Sequence, residues 1–352
     1  MLFYIVFFLF LGYGSADYSF TYNIKYPQQP YMTVKIGNDA RDVKVLLDFV
    51  RPYSFVFDQS CAIKNCTINR LGYYYNSNIT GIPTGQPFKD VYGKYSSFTG
   101  QIYNDTITIG DVTVPVKLGV VNGSQFAIKY EYDWDGVIGL GLQDVDTGIV
   151  RDIMVQLEEK KITVQQGYHY VNNFNYKEPK KSVGTITFGN SDNLLCGGFQ
   201  YVNTTSENMW KILTGVNIGN SRLSNKVITF LPGQYSQMPE VIYDIYFGNT
   251  TTTQREFYDI TFELGGTTYK MTKDDYSWYD YTRNKYDPRL NIAYSEYGYE
   301  FGFGSDFLQH YCVSFVAVDN FTYFQIGLAE NNNAFTVFGQ VTIIILFLIV
   351  LQ

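Results

Sequence analysis

The segment Val45-Leu46-Leu47-Asp48-Phe49-Val50-Arg51-Pro52 is an apolar run that reaches a single acid. Its aliphatic and β-branched residues favour a buried strand, with Asp48 at the carboxyl end of that strand. Thirteen residues after the acid, Cys61 opens a short segment that closes at Cys66. The segment therefore indicates a strand that presents one carboxylate beside a small cysteine-bounded loop.

Composition places the chain among mostly β proteins. Its 352 residues suffice for one large two-lobed domain or two ordinary ones. Aromatic residues make up 18%, and many short aromatic and β-branched runs lie between Gly, Asn and Asp turns. Apolar spacing predicts few helices, at Val150–Lys160, near Pro239–Tyr246 and at Ser305–His310, and residues 165–181 are predicted to form a polar loop. A net charge of -7 without a basic stripe argues against a nucleic-acid partner.

The amino-terminal residues indicate secretion. Residues 1–16 are almost wholly apolar and end in Gly-Ser-Ala, as a secretory signal peptide does. Seven Asn-X-Ser/Thr sequons are compatible with a glycosylated secreted protein. They begin at Asn65, Asn78, Asn104, Asn122, Asn203, Asn249 and Asn320. Four cysteines in an oxidising compartment predict two disulfides.

The carboxyl-terminal residues 331–352 form a second apolar block. The run Phe335–Leu351 is shorter than the roughly 20 residues of a spanning helix and lacks a basic flank. Small polar residues, a spacer and an apolar end favour a GPI-attachment signal. A membrane span and a plainly secreted chain are the alternatives.

A five-residue internal repeat links the two halves of the chain. Val34–Asn38 recurs as Val216–Asn220. Eleven residues beyond its glycine, the first copy reaches Asp48, and the same step from the second copy reaches Phe230.

Over nearly the whole mature chain, and in order, the sequence resembles the pepsin-like aspartic proteases. The most specific match is Asp135-Gly136-Val137-Ile138-Gly139-Leu140-Gly141, which resembles the DGI-x-GLG segment of that family. The other matching segments are Tyr31–Gly37, Val43–Asp48, Phe55–Val56, Cys61–Cys66, Tyr92–Gly100, Thr185–Gly189, Trp210, Phe262–Tyr269, Phe303–Leu308, Tyr311 and Ile326–Ala329. The resemblance implies an all-β, bilobal fold with a cleft between pseudo-symmetric lobes at residues 17–200 and 201–330.

The same resemblance implies where the cysteines pair. It matches Cys61 and Cys66 to a small disulfide loop and places Cys196 beside Cys312 in the sheet that joins the lobes. Cysteines at the last two positions resemble those of secreted nematode members of the family.

The chemistry of the family requires two carboxylates that share one proton and hold a water molecule, one from each lobe. In this chain Asp48 stands at the first position, but Phe49 and Val50 replace the usual Thr and Gly. The repeat places Phe230 at the second position, and a slip of one residue gives Leu231. Neither residue is an acid, so the catalytic pair is predicted to be incomplete.

The remaining candidates are weaker. Tyr92 and Gly93 are the expected flap residues. Gly139 and Gly304 are expected to serve backbone packing behind the former active site. Glu240 and Asp244 could replace the missing acid only from a predicted helix after Pro239, so both are disfavoured as catalytic groups. The only histidines of the chain are His169 and His310.

The sequence therefore predicts an inactive peptidase homologue that binds a peptide or protein in its cleft. Two alternatives stay open: an active aspartic endopeptidase with an irregular site, and a structural or adhesive surface glycoprotein. We expect no metal, no cofactor, a monomer, and a location outside the cell or on its surface, with the carboxyl-terminal tail as a membrane anchor.

Overall fold

The structure is a computed structural model. It describes residues 18–25, 29–62, 74–92, 96–126, 134–142, 147–157, 160–167, 182–189, 194–206, 209–248, 257–280, 285–293 and 298–332. The predicted signal peptide and the tail beyond residue 332 lie outside these ranges. Within them, no helix is long and apolar enough to cross a membrane.

Strands dominate both halves of the chain, as predicted. The first half contains β1 (Tyr18–Lys25), β2 (Gln29–Ile36), β3 (Asp39–Asp48), β4 (Phe55–Phe57), β5 (Ile82–Tyr92), β6 (Ser96–Ile109), β7 (Val112–Phe126), β8 (Gly136–Gly139), β9 (Lys161–Gln166) and β10 (Ser182–Phe188). The second half contains β11 (Gln200–Asn203), β12 (Ile212–Ile218), β13 (Ser221–Phe230), β14 (Gln237–Met238), β15 (Ile260–Leu264), β16 (Thr267–Met271), β17 (Ser277–Asp280), β18 (Lys285–Pro288), β19 (Asn291–Ile292), β20 (Phe301–Phe303), β21 (Tyr311–Val318) and β22 (Tyr323–Glu330).

The described helices are short. They are α1 (Val150–Gln156), α2 (Glu240–Tyr243), α3 (Lys273–Tyr276) and α4 (Ser305–Leu308), with a 3-10 turn at Gln59–Ala62 and a π turn at Asp244–Gly248. Three of them fall where helices are predicted. Helices α1 and α4 are shorter than expected, whereas α2 continues as the π turn to Gly248 and covers the predicted segment. Of the predicted polar loop, Gln165 and Gln166 belong to β9, and residues 168–181 lie outside the described part.

The strands form one large and two smaller sheets. The large sheet has 13 strands in the order β11-β22-β21-β9-β10-β1-β2-β3-β8-β4-β7-β6-β5. A sheet of 7 strands has the order β16-β15-β12-β13-β20-β14-β19, and β17 pairs with β18. Because β21 from the end of the chain pairs with β9 from its first half, the large sheet joins the two lobes. This arrangement is the bilobal pepsin-like fold that the sequence predicts.

Alternation along the strands explains which face becomes the core. In β15 the side chains of Ile260, Phe262 and Leu264 are buried, whereas those between them point outward. Strand β8 is buried at every position, as expected for a short strand enclosed between two neighbours.

The internal repeat corresponds to a structural repeat. Gly37 and Gly219 turn the β2–β3 and β12–β13 hairpins, and each has a φ of 57°, which glycine adopts at little cost. After these hairpins, β3 runs parallel to β8 and β13 runs parallel to β20. Strands β4 and β14 then pair antiparallel with β8 and β20.

Two contacts tie the lobes together near the centre of the molecule. The indole Nε1 of Trp210 donates a hydrogen bond to the carbonyl of Leu140 at 2.8 Å. A disulfide joins Cys196 to Cys312, with 6.0 Å between their Cα atoms, which is the predicted pairing. Cys61 is also disulfide-bonded, while its predicted partner Cys66 lies outside the described residues.

Candidate functional site

Asp48 ends β3 and is held from two sides. It lies opposite Gly139 of β8, and its main-chain carbonyl accepts a hydrogen bond from the Leu140 N–H at 2.7 Å. Its carboxylate Oδ1 accepts hydrogen bonds from the N–H groups of Val50 and Arg51, both at 3.0 Å. The side chain is buried, so the carboxylate is fixed by the loop that follows it.

Burial dominates the acidity of this group. It raises the pKa of Asp48 above its ordinary value, although the Arg51 charge and the two backbone N–H groups lower it. The neutral acid is therefore favoured over a wider pH range than for an aspartate in water.

Two glycines allow the loop after Asp48 to close on β8. A Cβ on Gly139 would lie 2.3 Å from the carbonyl carbon of Pro52, and one on Gly141 would lie 2.5 Å from the Val50 oxygen. The Gly139 N–H also donates to the Ser54 hydroxyl at 3.0 Å. These contacts support the predicted role of Gly139 in backbone packing.

Phe49 takes part in the core between the lobes. Its ring is buried and stacks on Phe315 of β21 with centroids 6.3 Å apart. Val50 has no positive φ, since the described non-glycine residues with positive φ are Asn225, Asp319, Asn320 and Phe321. Bulk at these two positions has thus been accommodated by packing.

In the second lobe, the same hydrogen bond identifies the corresponding residues. The Gly304 N–H donates to the Ser236 hydroxyl at 2.8 Å, as Gly139 does to Ser54. Because Phe230 lies opposite Phe303, the next residue, Leu231, comes opposite Gly304. We infer that Leu231 corresponds to Asp48, one residue beyond the Phe230 that the sequence repeat indicates.

Gly233 strengthens this correspondence. It lies two residues after Leu231, where the family places its glycine, and has a φ of 77°. A Cβ there would lie 2.4 Å from the Cβ of Pro30 in the other lobe. The second loop therefore retains the close backbone approach that the first loop no longer makes through a glycine.

Phe230 and Leu231 are both fully buried. The Phe230 ring lies 6.1 to 6.3 Å, centroid to centroid, from three other rings, those of Phe262, Phe303 and Phe307. A Cβ on Gly302 would lie 2.3 Å from Cδ1 of Leu231, so the leucine fills the space beside β20. The contacts described for these two side chains are thus with apolar groups.

Arg51 makes a contact that the sequence did not predict. Its Nη2 donates to Asp90 Oδ1 on β5, and to the Val91 carbonyl oxygen at 2.6 Å. Burial raises the pKa of Asp90, and the nearby Asp48 raises it further, while Arg51 lowers it. The available signal was Arg51 itself, a charged residue where the family has a small hydroxyl residue.

Gln166 of β9 is a second residue that sequence reasoning missed. It is fully buried, and its Oε1 accepts from the Gly233 N–H at 3.1 Å and from the Ser305 hydroxyl at 3.2 Å. Gln166, the last residue of β9, thus holds the second loop through the N–H group of Gly233. Nothing in its sequence context distinguishes it from other polar residues.

The other predicted site residues are Tyr92, Gly93, Glu240 and Asp244. Tyr92 ends β5 opposite Ser96, and Gly93 is not described. Glu240 and Asp244 are exposed on α2 and the π turn. Within the described residues, no three His, Cys, Asp or Glu side chains group as metal ligands do.

Five sequon asparagines are described, and all five are exposed. They are Asn78, Asn104, Asn122, Asn203 and Asn320. Asn65 and Asn249 lie outside the described residues. Exposure is compatible with glycosylation, which stays a prediction.

Comparison with known proteins agrees with this geometry. The profile of the eukaryotic aspartyl protease family matches residues 29–331. The chain is 25% identical to Rhizopuspepsin-3 of Rhizopus niveus over 308 residues, which cover 81% of this chain and 75% of that protein. It is 22% identical to Renin-2 of Mus musculus over 269 residues, covering 70% and 66%, and 28% identical to Plasmepsin VII of Plasmodium falciparum over 179 residues, covering 47% and 38%.

Proposed function

We propose that this chain, which belongs to the eukaryotic aspartyl protease family, is a homologue without aspartic protease activity. Its cleft binds an extended peptide or a protein segment outside the cell. Main-chain pairing of a peptide with strand edges needs no catalytic acid, so the fold can bind without cleaving.

One observation carries the proposal: the second lobe offers Leu231, fully buried, where a second carboxylate is required. A single buried carboxyl cannot share its proton across the cleft with a partner acid. Asp48 alone supplies one group that can be acid or base but not both in the same step. The loss of the chemistry follows from this half-complete pair.

A cleavage assay tests the loss of activity. The purified chain is incubated with a mixture of fluorogenic peptides from acid to neutral pH, with and without pepstatin, beside Asp48→Asn. We expect no pepstatin-sensitive turnover from either protein. Turnover that pepstatin inhibits and Asp48→Asn abolishes would establish an active endopeptidase and overturn the proposal.

A peptide-library capture experiment tests the binding. Retained peptides should share an extended core sequence and should compete with one another for one site. The exposed sequon asparagines favour the second candidate, a structural or adhesive surface glycoprotein. Failure to retain any peptide, in a protein that is folded by circular dichroism, would favour that candidate.

Secretion and anchoring through the apolar tail at 331–352 complete the proposal. Release of the protein from intact cells by a phosphatidylinositol-specific phospholipase would identify a GPI anchor. Retention after that treatment would contradict it.

A further inference from the structure

Three charged side chains meet between the loop after β3 and the strand β5. Arg51 bonds to Asp90 and to the carbonyl of Val91, and Asp48 accepts from the Arg51 N–H. The Asp90 side chain is 2% exposed and that of Arg51 is 11% exposed. The ion pair is therefore almost wholly removed from water.

The charges in this cluster do not balance. Two carboxylates face one guanidinium, and the second oxygen of Asp90 is buried without a hydrogen-bond partner among the described residues. Of the titratable groups, Asp48 and Arg51 act on Asp90, the Tyr53 ring lies 5.8 Å from the Arg51 guanidinium, and the residue opposite on β6 is the apolar Phe98. A buried carboxylate oxygen without a partner is unfavourable, so one proton would neutralise the cluster.

The position of β5 in the sheet determines what the Arg51–Asp90 contact holds in place. Strand β5 is the edge strand of the 13-stranded sheet, and β6 is its only strand partner among the described residues. Strands β5 and β6 form the predicted flap hairpin, and β5 is its outer strand. Arg51 joins β5 to the loop that carries Asp48. Without that contact, the end of β5 would be held by its hydrogen bonds to β6 and by the buried Phe88, whose ring packs on Phe55 and Tyr53.

We propose that the Arg51–Asp90 ion pair is a latch that holds the flap strand against the Asp48 loop, and that uptake of a proton by the Asp48–Asp90 carboxylate pair releases it. The end of β5 is then held at neutral pH and released at acid pH, where we expect a peptide to enter the cleft more readily. The inference rests on the proposed function for what enters the cleft, but the motion of the strand does not depend on a ligand.

The direction of the pH dependence follows from the charges. Ionised Asp90 attracts the Arg51 guanidinium, and a protonated Asp90 leaves only a neutral acceptor for it. Burial raises the pKa of both carboxyls, so protonation begins at a higher pH than for free aspartate. The Arg51–Asp90 ion pair should therefore weaken as the pH falls. The weakening should begin above the pH range in which an ordinary aspartate titrates.

Amide hydrogen exchange of the full chain tests the latch without a ligand. Protection of β5 amides is measured at about pH 7.5 and about pH 4.5 and normalised to the β1–β10 strand pair. We expect a loss of about tenfold at the lower pH, as for one charge-assisted hydrogen bond. Arg51→Met should show the low protection at both pH values. Asp90→Asn, which keeps size and an acceptor oxygen, should remove the pH dependence.

A matched control is available in the second lobe. Lys226→Met breaks the Lys226–Glu300 ion pair, 2.7 Å long and partly exposed, and should leave β5 exchange unchanged. Wild-type protection in Arg51→Met at neutral pH, or a persistent pH dependence in Asp90→Asn, would overturn the latch. Failure of peptide capture while β5 exchange behaves as expected would contradict the proposed function and leave the latch intact.

Discussion

Strand β3 ends in Asp48, which is followed by Phe49 and Val50, whereas after β13 the chain continues as Leu231-Pro232-Gly233. The first loop has retained the acid and lost the glycine, and the second has retained the glycine and lost the acid. Both loops still bond a hydroxyl, Ser54 or Ser236, to a glycine N–H on the neighbouring strand. Both lobes thus keep this hydrogen bond, because it is part of the packing of each lobe.

The two lobes also differ two residues beyond Gly139 and Gly304. Gly141 in the first lobe corresponds to Asp306 in the second, counting from Gly139 and Gly304. Gly141 N–H donates to the Arg51 carbonyl, while Asp306 Oδ2 accepts from the Ser236 N–H. One lobe closes its loop through backbone alone, and the other uses a buried acid.

The largest expected effect comes from restoring the missing acid in the second lobe. Leu231→Asp removes a fully buried aliphatic side chain and buries a carboxyl, and should destabilise the fold by about 3–5 kcal/mol. Urea unfolding at pH 5 and pH 8 measures this loss, which should be larger at pH 8 because the ionised form is the costly one. Unchanged stability together with new acid-pH cleavage would show that packing is not what excludes the acid.

Asp306 should give the second lobe a pH-dependent stability. Burial raises the pKa of Asp306 to about 7, from 3.8. Its contribution is therefore fully present below about pH 3.8 and is lost as the pH rises through about 7, an effect on the order of 4 kcal/mol at most. Asp306→Asn should flatten the stability profile between these limits in urea unfolding. An unchanged slope, or the same flattening from the exposed Asp111→Asn, would contradict this assignment.

Exchanging the glycine between the loops should have unequal effects. Gly233→Ala forces a Cβ against Pro30 at a positive φ and should cost about 2–3 kcal/mol. Val50→Gly in the first lobe removes no required conformation and should cost about 1 kcal/mol, mainly through the entropy of the unfolded chain. Thermal unfolding of the two variants compares them directly, and equal losses would mean that the first loop depends on Val50 as much as the second depends on Gly233.

The smallest effect is expected at the acid itself. Asp48→Asn keeps an oxygen to accept from the Val50 and Arg51 N–H groups, and removes a carboxyl that is costly to ionise. Its free energy of unfolding should lie within about 1 kcal/mol of the wild-type value at neutral pH. A loss of several kcal/mol in chemical denaturation would show that the charge of Asp48 is required by the fold.

Much of the fold could be predicted because its signals are local. Turn glycines, alternating strands and the Asp135–Gly141 segment each specify nearby backbone, and their order along the chain indicated the bilobal architecture. The Cys196–Cys312 pairing followed from the same family resemblance. The helix predicted at Val150–Lys160 already ends at Gln156, since hydrophobic spacing identifies the buried face of a helix and not the residue at which it ends.

The candidate site was predicted only in part. Asp48 at the end of a strand could be predicted from residue order, whereas the absence of a second catalytic acid stays a prediction. The register at Phe230 or Leu231 required the partner strand, since a shift of one residue turns a side chain to the other face. Arg51 meets Asp90, and Gln166 meets Gly233, across 39 and 67 residues of sequence.

The sequence by itself determined the all-β class and the family, because these depend on which residue types occur and in what order. The tertiary structure alone decided which buried residue of the second lobe comes opposite Gly304 and what holds Asp48. It also decided that Asp90 forms an ion pair with Arg51. Those outcomes depend on side chains that meet through folding, and distances between remote residues are set by the packing of the two lobes.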